Sequence, residues 1–288
     1  MSGRPGEKNH RLAALALAGA AALALAARRA WSLDPHLVRT ASGPALVYTT
    51  RDAVGARVRV LRTGGVYQSA TYLDEARRME PVFAYYRAFA RALELRPGAR
   101  RVLAVGGGGF AFPKLVAAEH PGVRTDVAEI DPAVIRAARR WFFLDDAVAL
   151  ARAGGGDLRV FSDDGRAFLE RAPEASYDVI ALDAFVGAEP VWALATVGAL
   201  RAARRALVPG GVLAANVVSR DGGADVSFLR SVVATARVVF SHVEVFPATD
   251  DSHAAEDNYL VVASDGSLCL SDAIGYDADF LGEVLLDE

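Results

Sequence analysis

Four consecutive glycines, Gly106 to Gly109, follow the apolar run Arg101-Val-Leu-Ala-Val and precede a helical stretch from about Pro113 to His120. A chain passing from a buried strand to a helix through such a run must turn tightly and leave its backbone open to a ligand. Glycine permits both. Open α/β sheets bind ligands at this place, outside the carboxyl ends of their strands. Taken alone, Gly106-x-Gly108-x-x-Ala111 also fits a dinucleotide fingerprint, with Glu129 placed for a ribose hydroxyl, but that motif in isolation is weak.

The rest of the chain supplies the context. Arg124 to Asp131 reads as a second strand, and Pro132 opens the next helix at its favoured first position. Asp157-Leu-Arg-Val-Phe is a third strand and Tyr177-Asp-Val-Ile-Ala-Leu-Asp183 a fourth. A helix near Ala193 to Ala206 leads through Pro209-Gly210-Gly211 to a fifth, Val212-Leu-Ala-Ala-Asn216. A helix from Phe228 to Val239 and two closing strands, His242 to Phe246 and Asn258 to Ala263, complete the pattern. Strands alternating with helices predict an α/β fold, a doubly wound, mostly parallel sheet covered on both faces. Upstream, glycines and prolines punctuate residues 34–72, and Ala45 to Thr49 and Arg57 to Leu61 read as short strands of a small N-terminal β-hairpin subdomain. Asp74 to Leu95 reads as one helix, stopped by Pro97-Gly98. The expected organisation is an apolar segment over 1–31, the β subdomain over 32–73, the nucleotide-binding domain over 74–264 and a peripheral acidic tail over 265–288.

Composition narrows the function classes. The 288 residues are 52% hydrophobic and 23% charged with a net charge of -3, so nothing suggests a nucleic-acid binder, which carries a basic face. The single cysteine, Cys269, forms no internal disulfide, and the five histidines are scattered, so no metal site is expected. Leu12 to Ala27 is uncharged, preceded by Arg4, Lys8 and Arg11 and followed by Arg28 and Arg29. As a helix it spans roughly 24 Å, short of the ~30 Å hydrocarbon core. Three readings stay open: a membrane tether or uncleaved signal, a cleaved signal, and a soluble alanine-rich helix. The two arginines after the run argue against export, so the expected location is cytoplasmic, with or without a tether on the cytoplasmic side.

Carboxylates end the strands. Glu129 can accept ribose hydroxyl hydrogens and is followed by Ile130; Asp131, before Pro132, fits a helix cap. Asp164-Gly165 closes strand three, where an acid can accept from an exocyclic amine or cap the helix that follows. Asp183 ends strand four, where it could orient or deprotonate an amine nucleophile.

Together, Gly106-Gly-Gly-Gly, Glu129-Ile-Asp, Asp164-Gly and Asp178-Val-Ile-Ala-Leu-Asp183 with Pro190 resemble the polyamine aminopropyltransferase (spermidine synthase) family, of class I S-adenosylmethionine-dependent methyltransferase-like fold. Upstream, Gln68 and the Asp74-Glu75 to Glu80 block resemble its N-terminal segment. The resemblance runs from about Arg57 to Ala263. It implies decarboxylated S-adenosylmethionine as co-substrate, a small amine as acceptor and no metal. It implies that Gln68, Gly106, Gly107, Gly108, Glu129, Ile130, Asp164, Gly165 and Pro190 hold the nucleoside, that Asp183 is the base, and that the chain forms a homo-oligomer. The sequence departs from the family at the amine half. Gly109 stands where the family has an aspartate, Val186 where its catalytic loop has a second acid, and Arg78-Met79 where it has Tyr-His or Tyr-Gln. A dicationic diamine is costly to hold without paired carboxylates; Glu80, Glu189, Asp221 or Asp225 could compensate. Two other readings therefore remain beside aminopropyl transfer: a methyltransferase using ordinary S-adenosylmethionine, and a non-catalytic nucleoside-binding member of the fold. A nicotinamide-dependent oxidoreductase is disfavoured by Asp164-Gly and by Leu207-Val-Pro-Gly-Gly-Val-Leu.

Overall fold

The computed structural model describes residues 33–186, 189–218, 225–248, 258–268 and 272–287, and the side chains of 185–186 and 189–190 are outside that description. The apolar segment Leu12 to Ala27 therefore lies outside the described residues. Among those described, no helix is long and apolar enough to cross a membrane.

The N-terminal piece is larger than a hairpin. β1 (His36–Thr40), β2 (Gly43–Arg51), β3 (Arg57–Thr63) and β4 (Val66–Tyr72) form a four-stranded antiparallel meander. The alternation in β2 and β3 turns Ala45, Val47 and Leu61 toward the main core, while Val58 and Val60 pack with Ala70 and Tyr72 into a second small cluster. In β4 the pairing slips: Leu61 opposes Ser69 and Arg62 opposes Tyr67, which leaves Gln68 as the extra residue of a bulge. Bulges re-aim side chains beside functional sites.

The stretch expected as one long helix divides. Residues 73–84 are turns, with Arg77 N donating to Asp74 O and Glu80 N to Arg77 O. Pro81, which has no N–H for a helical ladder, instead bridges to Thr71. Only α1 (Tyr85–Glu94) is helical, and it buries Tyr86, Phe89, Ala92 and Leu93.

The main sheet contains β5 (Arg101–Val105), β6 (Arg124–Glu129), β7 (Asp157–Ser162), β8 (Tyr177–Leu182), β11 (Leu207–Val218), β12 (His242–Pro247) and β13 (Asn258–Ser264), in the order β12-β13-β11-β8-β5-β6-β7. β13 alone runs antiparallel to its neighbours. A two-residue pair, β9 (Phe185–Val186) and β10 (Glu189–Pro190), follows β8. The doubly wound, mostly parallel sheet is thus present. Both faces are apolar, so its strands are continuous hydrophobic runs. Val102 and Ala104 face one core with α2 (Ala111–Glu119), α3 (Pro132–Trp141) and α4 (Leu144–Ala153). Leu103 and Val105 face the other with α5 (Gly165–Arg171), α6 (Val197–Ala206) and α7 (Ser227–Val239). Chain order reverses between β5 and β8, and that switch point opens the ligand crevice at their carboxyl ends.

Residues 272–287, expected as part of a peripheral tail, run along this second face. Tyr276, Phe280, Leu281 and Leu285 pack against the core it shares with α7.

Candidate functional site

The carboxyl edge of the sheet gathers most of the expected residues. The parallel ladder continues one step past the strand ends: Gly106 N donates to Ala128 O at 2.9 Å, Asp163 N to Glu129 O at 3.1 Å, and Asp183 N to Val105 O at 2.8 Å. Gly106 has φ of +95°, and a Cβ there would strike the carbonyl of Asp183, so only glycine lets the loop cross the end of β8. Gln68 borders the same loop, since the nearest atom to a Cβ built on Gly108 would be Gln68 O, at 3.8 Å.

Glu129 is buried, and its carboxylate is already engaged. Oε2 accepts from Gly107 N at 2.9 Å and from Gly108 N at 3.2 Å, while Oε1 accepts from Asp131 N at 2.9 Å. A carboxylate offers about four acceptor sites. Three are filled by backbone donors, which leaves room for one ribose hydroxyl rather than two. Asp131 caps α3 through Ala133 N at 2.7 Å and also accepts from Ala41 N at 2.6 Å, tying the β1–β2 turn to the domain. Ile130 is 63% exposed, an apolar face at the strand end suited to a flat base. Asp164 caps α5 through Ala167 N at 2.8 Å and remains exposed, so capping and ligand contact are compatible. Gly165 packs its backbone against Val105. Pro190 pairs with Phe185 in the β9–β10 turn.

Asp183 lies in the crevice, where burial raises its pKa from 3.8 to about 6; a hydrogen bond from Asn216 Nδ2, at 2.9 Å, opposes the shift. Asn216 Oδ1 is buried without a partner among the described residues. Tyr85 and Tyr86, with ring centroids 4.0 Å apart, stand near enough for the Asp183 charge to raise both phenol pKa values further after burial. Their hydroxyls therefore stay protonated, and Tyr86 Oη donates to Gln68 O at 3.5 Å.

These three residues escaped the sequence reading. Tyr86 looked like an ordinary core position of a helix. Asn216 carried a signal, as the polar residue ending an apolar strand at the ligand edge. Lys114 was missed too. It is fully buried on α2, and its Nζ donates to Thr71 Oγ1 at 2.6 Å and Arg78 O at 2.9 Å. Burial, then the charge of Arg78, lowers its pKa to about 7.

The departures have structural causes. A Cβ at Gly109 would collide with the Ser69 side chain and come within 3.0 Å of the Phe142 ring. Gly109→Asp is therefore expected to cost about 1–3 kcal/mol of stability through overpacking without improving donor binding; a urea unfolding series and a ligand titration check both. Arg78 points at α4, pairing with Asp146 at 2.6 Å and lying over the Phe143 ring at 4.5 Å. Of the acids that could replace the missing ones, Glu80 is paired with Arg77 at 3.0 Å, and Asp225 accepts from Ser227 N at 3.0 Å. Asp221 and the side chains of Val186 and Glu189 lie outside the described residues. Among the described residues no group of three His, Cys, Asp or Glu is placed to hold a metal.

The Spermine/spermidine synthase domain profile matches residues 83–247, more than half of the chain. The chain belongs to the spermine/spermidine synthase family. Polyamine aminopropyltransferase of Vibrio vulnificus is 33% identical over 139 residues, which cover 48% of this chain and 44% of that protein. Spermidine synthase 1 of Pisum sativum is 34% identical over 158 residues, 51% of this chain and 46% of that one. The chain thus spans about half the length of the curated relatives it matches. In three dimensions it is similar to a probable spermidine synthase from Corynebacterium glutamicum, with a TM-score of 0.66, 26% identity and 82% of each chain covered. That family's four-strand sheet and crevice are the frame in which Gln68, Glu129, Asp164 and Asp183 are placed.

Proposed function

We propose that this spermine/spermidine synthase family member transfers an aminopropyl group from decarboxylated S-adenosylmethionine to a small amine. The observation that carries this reading is Asp183. It is a carboxylate at the switch point beside the glycine loop, with its pKa raised to about 6 and its only printed side-chain donor the neutral Asn216. A base of that strength matches proton removal from an ammonium near neutral pH.

The residues fit the donor. The glycine loop presents bare backbone, Ile130 an exposed apolar face, Asp164 an acceptor, and Glu129 one remaining acceptor site. The donor's sulfonium supplies the leaving group. The amine nitrogen forms a bond to the carbon next to sulfur, the carbon–sulfur bond breaks, and methylthioadenosine departs with the bonding pair. The proton shed by the nitrogen goes to Asp183. Asn216 holds the Asp183 carboxylate in place, and its unpartnered Oδ1 can accept from a second N–H of the acceptor. The protein's part is proximity and deprotonation, and no metal has a role. Decarboxylated S-adenosylmethionine is an intracellular metabolite, so the reading places the folded domain in the cytoplasm, whatever the role of Leu12 to Ala27 as a tether. It carries a homo-oligomer with it as a family expectation.

Calorimetric titration of the full chain with methylthioadenosine, decarboxylated S-adenosylmethionine and S-adenosylmethionine tests this. Tighter binding of the first two than of the third is expected. Preference for S-adenosylmethionine would instead favour methyl transfer, which the lack of an acid at Gly109 would suit.

A further inference from the structure

The C-terminal residues bind the fold along an unbroken series of hydrogen bonds. Ile274 N donates to Val245 O at 2.7 Å, and Arg230 donates to Phe280 O at 2.7 Å and Asp279 O at 3.1 Å. Leu285 N donates to Thr235 Oγ1 at 2.9 Å, and Val197 N to Leu285 O at 2.9 Å. The strap ends on Asp287. Its Oδ1 accepts from Thr196 Oγ1 and from Arg166 Nη1, both at 2.8 Å, and its Oδ2 accepts from Gly198 N at 2.8 Å.

Arg166 gives this contact its meaning. It stands in the first turn of α5, directly after Asp164-Gly165, where a cation opposes the helix dipole. Such a placement needs compensation, and the guanidinium has it: Glu170 at 2.6 Å, Asp287, and the Ala193 carbonyl and Thr196 hydroxyl, both at 2.9 Å. Asp287 in turn sits at the N-terminus of α6, where an anion is favoured. Gly198 leaves the space, since a Cβ there would strike both the Asp287 carboxylate and the Arg166 guanidinium.

We propose that Asp287 is a positioning residue for the nucleoside half of the site. Through Arg166 and Thr196 it fixes the Asp164-Gly165 turn to the segment that follows Pro190. Asp164 is bound to α5 by its own cap, so any drift of α5 moves its carboxylate. This inference rests on the reading of Asp164 as a nucleoside contact, and its test separates the two.

Hydrogen exchange and methylthioadenosine titration would be run on the full chain and on Asp287→Ala, Asp287→Asn and Asp287→Glu. Arg204→Ala serves as control, because it removes an ion pair of the same kind from the same helix, Arg204 with Asp265. Asp287→Ala is expected to raise exchange over 164–171 and 191–199 and to weaken methylthioadenosine about tenfold, Asp287→Glu to restore part of both, and Arg204→Ala to change neither. If Asp287→Ala does not fold, Asp287→Asn, which keeps the shape and loses the charge, must show the same two effects. Unchanged exchange over 164–171, or raised exchange with methylthioadenosine affinity within twofold of the parent, overturns the proposal. Should the parent chain bind no adenosyl ligand while exchange responds as expected, the clamp stands and the reading of the site as a nucleoside site falls.

Discussion

Asp183→Asn is expected to lower turnover about 10²- to 10⁴-fold, the usual worth of a positioned general base, and to abolish the acid limb of the pH–rate profile near pH 6. The parent enzyme should lose activity as pH falls through that value, because the protonated carboxyl cannot take a proton from the incoming amine. Donor affinity should change little, since the ligand contacts assigned to the nucleoside lie on the glycine loop, Glu129, Ile130 and Asp164. Steady-state rates from pH 5 to 9, with direct titration of methylthioadenosine, separate the two effects. A variant that keeps both its rate and its acid limb would show that the proton goes elsewhere.

The same substitution should not destabilise the fold at pH 8. The Asp183 pKa is raised from 3.8 to about 6, so between those values the native state binds more protons than the unfolded chain. Its contribution to stability therefore falls as pH rises from about 4 to 6 and is flat above both values. Above pH 6 the ionised group costs the native state about 2 kcal/mol, which a neutral amide avoids. Lost activity with equal or higher stability is the signature of a strained catalytic group, and urea midpoints at pH 5 and pH 8 would show it.

The parts of this protein legible in its sequence are those fixed by local rules. A glycine run after an apolar strand must be a tight turn, and acids ending successive strands of one sheet must line one edge. That is why Gly106, Glu129, Asp164 and Asp183 converge as their positions imply. What escaped depends on contacts distant in sequence. Lys114 looks like any helical lysine until Thr71 and Arg78, 43 and 36 residues away, fold over it. Asp287 looks like a solvated tail residue until Thr196 meets it from 91 residues away. The turn-rich segment over 73–84 was misread because its apolar spacing is helical, whereas Pro81 and the bridge to Thr71 prevail over that pattern. Gly109 was legible as a departure from the family, but its cause, the packing of Ser69 and Phe142 against the loop, was not.

Glu129 is the residue whose loss should be felt most widely, because it joins fold and site. Its carboxylate receives three backbone donors, from Gly107, Gly108 and Asp131. Glu129→Ala leaves those N–H groups without their acceptor in a buried place, where each orphaned group costs about 1–3 kcal/mol. Some are rescued by water entering the crevice, so a net loss of about 3–5 kcal/mol is expected. Glu129→Gln keeps the volume but turns one acceptor oxygen into a donor. That donor faces either the two glycine amides or the Asp131 amide, so about 1–3 kcal/mol should be lost. Both variants should bind methylthioadenosine at least tenfold more weakly, since the loop that meets the ligand is held by the group removed. The informative comparison is between the two measurements. If Glu129 serves only the fold, affinity should follow the urea midpoint and recover when the variant is stabilised at low temperature or with an osmolyte. If its fourth acceptor site takes a ribose hydroxyl, Glu129→Gln should lose affinity even where its loop is as ordered as the parent's. The deficit should also shrink for a ligand that lacks that hydroxyl, because the parent then has nothing more to offer than the variant.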